Sequence, residues 1–238
     1  MDFSSSEKGL NANALKIIAI LAMTMDHIAI GFIAPNTLNY QLFRMVGKLT
    51  IVIMCYMIVE GYKHTHNIKK YLTRLFIFAI VSHVPFVFFN TGKISLLWNG
   101  NNFQTSVIWT LFLGLVSLYI WNYDRLKKPY KIILSIIICA LAMVGDWNIF
   151  AILLIWGFSI FYENRKIQTI FLGVLAMWIV LISIMTSEYW YSEIYNLGLL
   201  LNIPVLLIYN GKLGTSKHMK WLFYIYYPLH MVVLGIMK

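Results

Sequence analysis

Nine apolar runs, at about 14–33, 42–62, 71–89, 104–122, 130–144, 147–162, 167–186, 194–210 and 221–237, take up most of this chain. A helix needs roughly 20 such residues to cross the hydrocarbon core of a bilayer. Only 12% of the 238 residues are charged, about half the share found in soluble domains. That little charge cannot clothe a globular surface, so a soluble enzyme is excluded. The expected fold is all-α: a polytopic membrane helix bundle of about nine transmembrane helices, with residues 1–238 forming a single domain embedded in the lipid bilayer.

The fifth and sixth runs are short and separated only by Gly145-Asp146. They read either as two half-buried helices or as one broken element. Pro85, Pro204 and Pro228 fall inside runs, where membrane helices tolerate a kink that neighbours or water can satisfy. Lys8 alone precedes the first run as a cation and no small-residue cleavage pattern follows it, so the first span is expected to be retained. Cys55 and Cys139 lie in apolar runs and read as small hydrophobes, with no disulfide or metal spacing.

The net charge of +10 follows from membrane insertion. Counting alternate loops, every Lys and Arg except Arg44, Lys48, Lys93 and Lys238 falls on the side of the N-terminus. The positive-inside rule then puts the N-terminus inside and the C-terminus outside. The charge is topogenic, and no nucleic-acid partner is expected.

Ionisable groups inside spans are costly, and each is a functional candidate. At a rise of about 1.5 Å per residue, His27 lies about 20 Å above Ala14, His83 about 16 Å above Leu72 and His230 about 14 Å above Trp221. Arg44 and Lys48 enter from the outer face one helical turn apart. Asp146 sits at the outer end of its hairpin. These positions predict a shared polar cavity in the outer half of the membrane, with Asn102 and Tyr227 as further lining. Asp26 and His27 are adjacent and point about 100° apart, so Asp26 is expected to pair with Arg44 or Lys48. At the inner face Glu60 and His64 are four apart and share a side, among Lys63, Lys69, Lys70 and Arg74.

Several segments carry a resemblance when taken in order. Leu10-Asn11-Ala12-Asn13-Ala14-Leu15-Lys16 leads into Met23-Thr24-Met25-Asp26-His27-Ile28. Arg44-Met45-Val46-Gly47-Lys48 and Val59-Glu60-Gly61-Tyr62-Lys63-His64-Thr65 follow. Then come Lys69-Lys70-Tyr71-Leu72-Thr73-Arg74-Leu75, Ser82-His83-Val84-Pro85-Phe86, Thr110-Leu111-Phe112-Leu113-Gly114, Gly145-Asp146-Trp147 and Tyr226-Tyr227-Pro228-Leu229-His230. The ordered set resembles the TraX family of integral-membrane acetyltransferases, which includes the enzyme that N-acetylates F-type pilin. It spans nearly the whole chain and is strongest over residues 10–90 and 221–231. The resemblance implies acetyl transfer from acetyl-CoA and kinship with larger multi-span acyltransferases that share a first-span histidine, which His27 matches. Arg74 matches the family's arginine, while Gly47-Lys48 stands where the family usually has Gly-Arg.

These readings together predict a bacterial plasma-membrane N-acetyltransferase with acetyl-CoA as co-substrate and no metal. Its acceptor is the N-terminal amine of a pilin or small peptide, or a surface-glycan hydroxyl. The catalytic candidates are His27 as base with Asp26, Arg44, Lys48 and His83; Glu60, His64, Lys70 and Arg74 form the donor site. Asn102, Asp146, Tyr227 and His230 complete the cavity. The competing classes are a proton-coupled transporter, whose relay the same groups can form, and a non-catalytic membrane chaperone or immunity partner.

Overall fold

The computed structural model describes residues 9–97, 103–214 and 219–238, and Lys8 lies outside them. The described residues are helical throughout, joined by short turns. The elements are α1 (Ala12–Phe32), α2 (Leu38–Gly47), α3 (Leu49–His64), α4 (Ile68–Thr91), α5 (Val107–Trp121), α6 (Lys128–Ala142), α7 (Asn148–Ile160) and α8 (Arg165–Thr186), then a 3₁₀ segment (Trp190–Leu201), α9 (Asn202–Ile208) and α10 (Met219–Met237).

Polar residues at the loop ends set where helices begin. Asn11 accepts from the Ala14 amide at 2.9 Å, Thr37 from Tyr40 at 3.3 Å, Asn67 from Lys70 at 2.9 Å and Asn164 from Ile167 at 3.1 Å. Each satisfies an amide that the first helical turn leaves without an internal acceptor. Thr37 starts α2 four residues before the apolar run, which brings Leu38–Gln41 into the helix.

Every apolar run carries a helix. Five stretches are long and apolar enough to cross a membrane: Ala12–Phe32, Leu38–His64, Ile68–Thr91, Arg165–Thr186 and Trp190–Ile208. Helices α5, α6 and α7, at 15, 15 and 13 residues, are only about 20–22 Å long at 1.5 Å per residue and fall short of the span expected of each. The fifth and sixth runs form two separate helices packed on one another. On α8, Ile170, Val174 and Leu181 are exposed and share one side of the helix. A wholly apolar outward face suits lipid and not water, and this is a multi-pass membrane protein.

The chain forms two compact units. One holds the residues up to Met54 together with Phe161–Tyr226; the other holds Cys55–Ile160 and Tyr227–Lys238. In the first, α1 packs on α2, α2 on the 3₁₀ segment, and the 3₁₀ segment on α8. Its core includes Leu15, Ala19, Met23, Leu172, Ala176 and Leu199. In the second, α5 packs against α4, α6 and α7, around Leu113, Ile138, Ala142 and Ile152 with Trp109 and Phe112 against them.

Candidate functional site

In the first unit, α1 and α2 bring charge into the packed interior. Arg44 Nη1 donates to both carboxylate oxygens of Asp26, at 2.9 and 2.8 Å. The two side chains are 14% and 20% exposed, so this is a largely buried ion pair of the kind expected for Asp26. It depends on Gly47. A Cβ there would lie 2.5 Å from the Asp26 Cβ, so a larger residue would drive the helices apart at the carboxylate.

The guanidinium of Arg44 lies 4.6 Å from the centroid of the Tyr195 ring and 6.0 Å from that of Tyr40. The Lys48 ammonium lies 4.7 Å from the Tyr195 centroid, and Lys48 is buried. Tyr195 reaches this place because its segment is a 3₁₀ helix. With three residues per turn, residues three apart line up on one side, so Ser192, Tyr195 and Gly198 form a straight row. On an α-helix, Ser192 and Gly198 would point about 120° apart.

The facing row on α2 is Gln41, Arg44, Met45 and Lys48, spaced for one α-helical side. Gln41 Nε2 donates to the Ser192 carbonyl at 3.2 Å, and the Tyr195 amide donates to Gln41 Oε1 at 3.1 Å. A Cβ at Gly198 would overlap the Met45 carbonyl, and Asn202 Nδ2 donates to the Lys48 carbonyl at 3.3 Å. Two polar atoms of this neighbourhood are buried without a protein partner, Arg44 Nε and Asn202 Oδ1. Orphans of this kind mark a place where a ligand or water completes the bonding.

His27 lies beside Asp26 on α1. Its Nδ1 is 2.8 Å from the Met23 carbonyl. A carbonyl only accepts, so Nδ1 carries the proton and the neutral ring keeps its basic lone pair on Nε2. Thr24, one turn before His27, donates to the Ile20 carbonyl at 2.8 Å and meets the Tyr226 hydroxyl at 2.7 Å.

Of the residues expected to share an outer cavity, Asp26, His27, Arg44 and Lys48 belong to this first unit; His83, Asp146, Tyr227 and His230 belong to the second. Asn102 lies outside the described residues. His83 is buried, with Nδ1 at 3.1 Å from the Thr105 hydroxyl and Nε2 at 2.9 Å from the Leu96 carbonyl. Both ring nitrogens are committed, which suits a tether between α4 and the following loop better than a base. Thr105 in turn is bonded through its backbone to Val144 and Asp146, at 2.8 and 3.0 Å. Tyr227 and His230 are both buried, with ring centroids 5.5 Å apart, and Asp146 is exposed.

At the end of α3, Glu60 and His64 approach to 3.6 Å, with the carboxylate buried and the imidazole 46% exposed. Arg74 lies 5.3 Å from the Tyr71 ring centroid, and Lys70 is exposed. Among the described residues no three His, Cys, Asp or Glu side chains gather to hold a metal ion. The residues that sequence reasoning missed are Gln41, Tyr195, Asn202 and Tyr226. Asn202 carried the clearest signal, a polar side chain in the middle of an apolar run.

A family model described as "TraX protein" matches residues 11–238. A curated relative, "Probable fimbrial assembly protein FimC, serogroup H1" of Dichelobacter nodosus, is 32% identical over 236 residues, covering 94% of this chain and 94% of its own. No solved structure matches.

Proposed function

We propose, because this chain belongs to the TraX family, that it is a membrane acetyltransferase carrying the acetyl group of cytosolic acetyl-CoA to an amine at the outer side of a bacterial plasma membrane. The fimbrial-assembly relative favours the N-terminus of a pilin or small peptide as acceptor. The observation that carries the reading is the Asp26–Arg44–Lys48 cluster beside His27. It supplies a base and buried cations, as thioester aminolysis requires.

The neutral amine attacks the thioester carbonyl carbon, and the carbonyl electron pair moves onto oxygen. His27 Nε2 takes the amine proton as the new C–N bond forms. Arg44 and Lys48 stabilise the oxyanion, with Arg44 Nε offering a donor that has no protein acceptor. The oxyanion collapses, the C–S bond breaks, and the CoA thiolate leaves and takes up the proton. Asp26 does not touch the reacting atoms; it fixes Arg44. In purified protein supplied with acetyl-CoA and an unblocked acceptor peptide, free CoA thiol should appear at a rate that rises with peptide. A transporter or chaperone would release none.

Donor entry is from the basic side. Cations attract phosphates as point charges or, for Arg, through a planar fork, and Glu60, His64, Lys70 and Arg74 form the donor site. Arg74→Ala is expected to raise the apparent KM for acetyl-CoA about tenfold or more, the worth of one hydrogen bond to a charged group. An unchanged donor KM would return Arg74 to a topogenic role. The same orientation predicts that a cysteine at Lys127 is shielded from an impermeant thiol reagent in intact cells while one at Ser192 is labelled. Labelling at Lys127 would overturn the cytosolic entry of the donor.

A further inference from the structure

We infer that Tyr195 is a positioning residue, whose ring holds Arg44 and Lys48 side by side so that both act on one acyl oxygen. The inference deepens the acetyl-transfer reading and rests on it for the reaction, though not for the geometry.

Arg44 and Lys48 are like charges one turn apart on a single helix side, and such pairs repel. Yet both cations lie within 4.7 Å of one ring centroid. The face of an aromatic ring attracts each of them through its quadrupole, which offsets the repulsion. The ring is itself fixed. Its backbone amide is held by Gln41 at 3.1 Å, Tyr40 meets it edge-on at 6.4 Å between centroids, and Gly198 seats the next turn against Met45. Arg44 is therefore gripped at Nη1 by Asp26 and on another side by the ring and hydroxyl of Tyr195.

A π-face orients a cation through its quadrupole without accepting its proton. That suits a cation placed to meet a charge that develops in the transition state. The Tyr195 hydroxyl hydrogen-bonds to Glu193, and Glu193 also accepts from Asn196 Nδ2 at 2.9 Å.

The test keeps the ring's shape and drains its electrons. Tyr195→Phe and a series of phenylalanines carrying one to three fluorines at position 195 are made in the full chain and reconstituted in lipid. The acylation rate of Lys48 by an amine-reactive reagent is read by peptide mass spectrometry, beside kcat and donor KM for acetyl transfer. Tyr195→Phe should leave Lys48 labelling within about twofold. Labelling should then rise with each fluorine, to about thirtyfold, the size of a desolvated cation–π contact. Over the same series kcat should fall while donor KM holds. Flat labelling across the series overturns the inference whatever the activity does. Graded labelling with an unchanged kcat overturns the positioning role in this reaction. Graded labelling in a protein that transfers no acetyl group leaves the cation geometry standing and removes the acetyltransferase reading instead.

Discussion

His27→Ala is expected to lower acetyl turnover by about 10²–10⁴-fold, the share that a positioned acid–base group contributes. A histidine on a transmembrane helix often serves only as a hydrogen-bond partner, and the bond from Nδ1 to the Met23 carbonyl is of that structural kind. That bond also fixes which nitrogen stays basic. With Nδ1 donating to Met23, Nε2 is the nitrogen that can take the proton of the attacking amine. His27→Gln separates the two roles. An amide fills similar space and can donate to Met23, but it cannot accept a proton, so it should fare little better than Ala. Donor binding, measured by equilibrium dialysis with labelled acetyl-CoA, should survive both changes. A His27→Gln protein that keeps near-full turnover would make His27 structural, and the base would have to be sought elsewhere, with His230 ahead of the doubly committed His83.

The second large effect is expected at the ion pair. Arg44→Met removes the cation from an Asp26 carboxylate that is only 20% exposed. Breaking a buried pair from one side costs about 3–5 kcal/mol because a charge is left uncompensated; the residual exposure puts the expected loss near the lower figure. Adding Asp26→Asn should restore much of that stability, since the double variant buries no orphaned charge. Unfolding midpoints of the two single variants and the double variant in one detergent check this as a double-mutant cycle. Turnover should separate from stability: the double variant stays slow by about 10²–10³-fold, as expected on losing an oxyanion donor, although it folds. Recovery of activity along with stability would confine Arg44 to a structural role.

What the sequence made legible was local or electrostatic. Glu60 and His64 were readable from a four-residue spacing, and the Asp26 partner from the divergence of Asp26 from His27 and the cations Arg44 and Lys48 on the next helix. The separation of α6 from α7 was open because Gly145-Asp146 permits either a turn or a break. It is closed by the packing of the two helices on one another and by the Thr105 tether to Val144 and Asp146. Tyr195 was not legible. The run 194–210 looks like an ordinary α-helix, and only the 3₁₀ period lines up Ser192, Tyr195 and Gly198 in one row facing α2. The partners of His83 were not legible either, because Thr105 and Leu96 come from a loop whose path sequence periodicity does not describe.

Where the acetyl group goes separates an acetyltransferase from a transporter or a chaperone. Purified protein in lipid nanodiscs is incubated with acetyl-CoA labelled in the acetyl carbon and a short pilin-like peptide, with its α-amine either free or formylated. Peptide mass and fragment spectra then locate the label. The prediction is one acetyl group on the free α-amine, none on the formylated peptide, and a rate that collapses with His27→Gln. Unconsumed acetyl-CoA with the free-amine peptide, or label that ignores both the amine and His27, would contradict it.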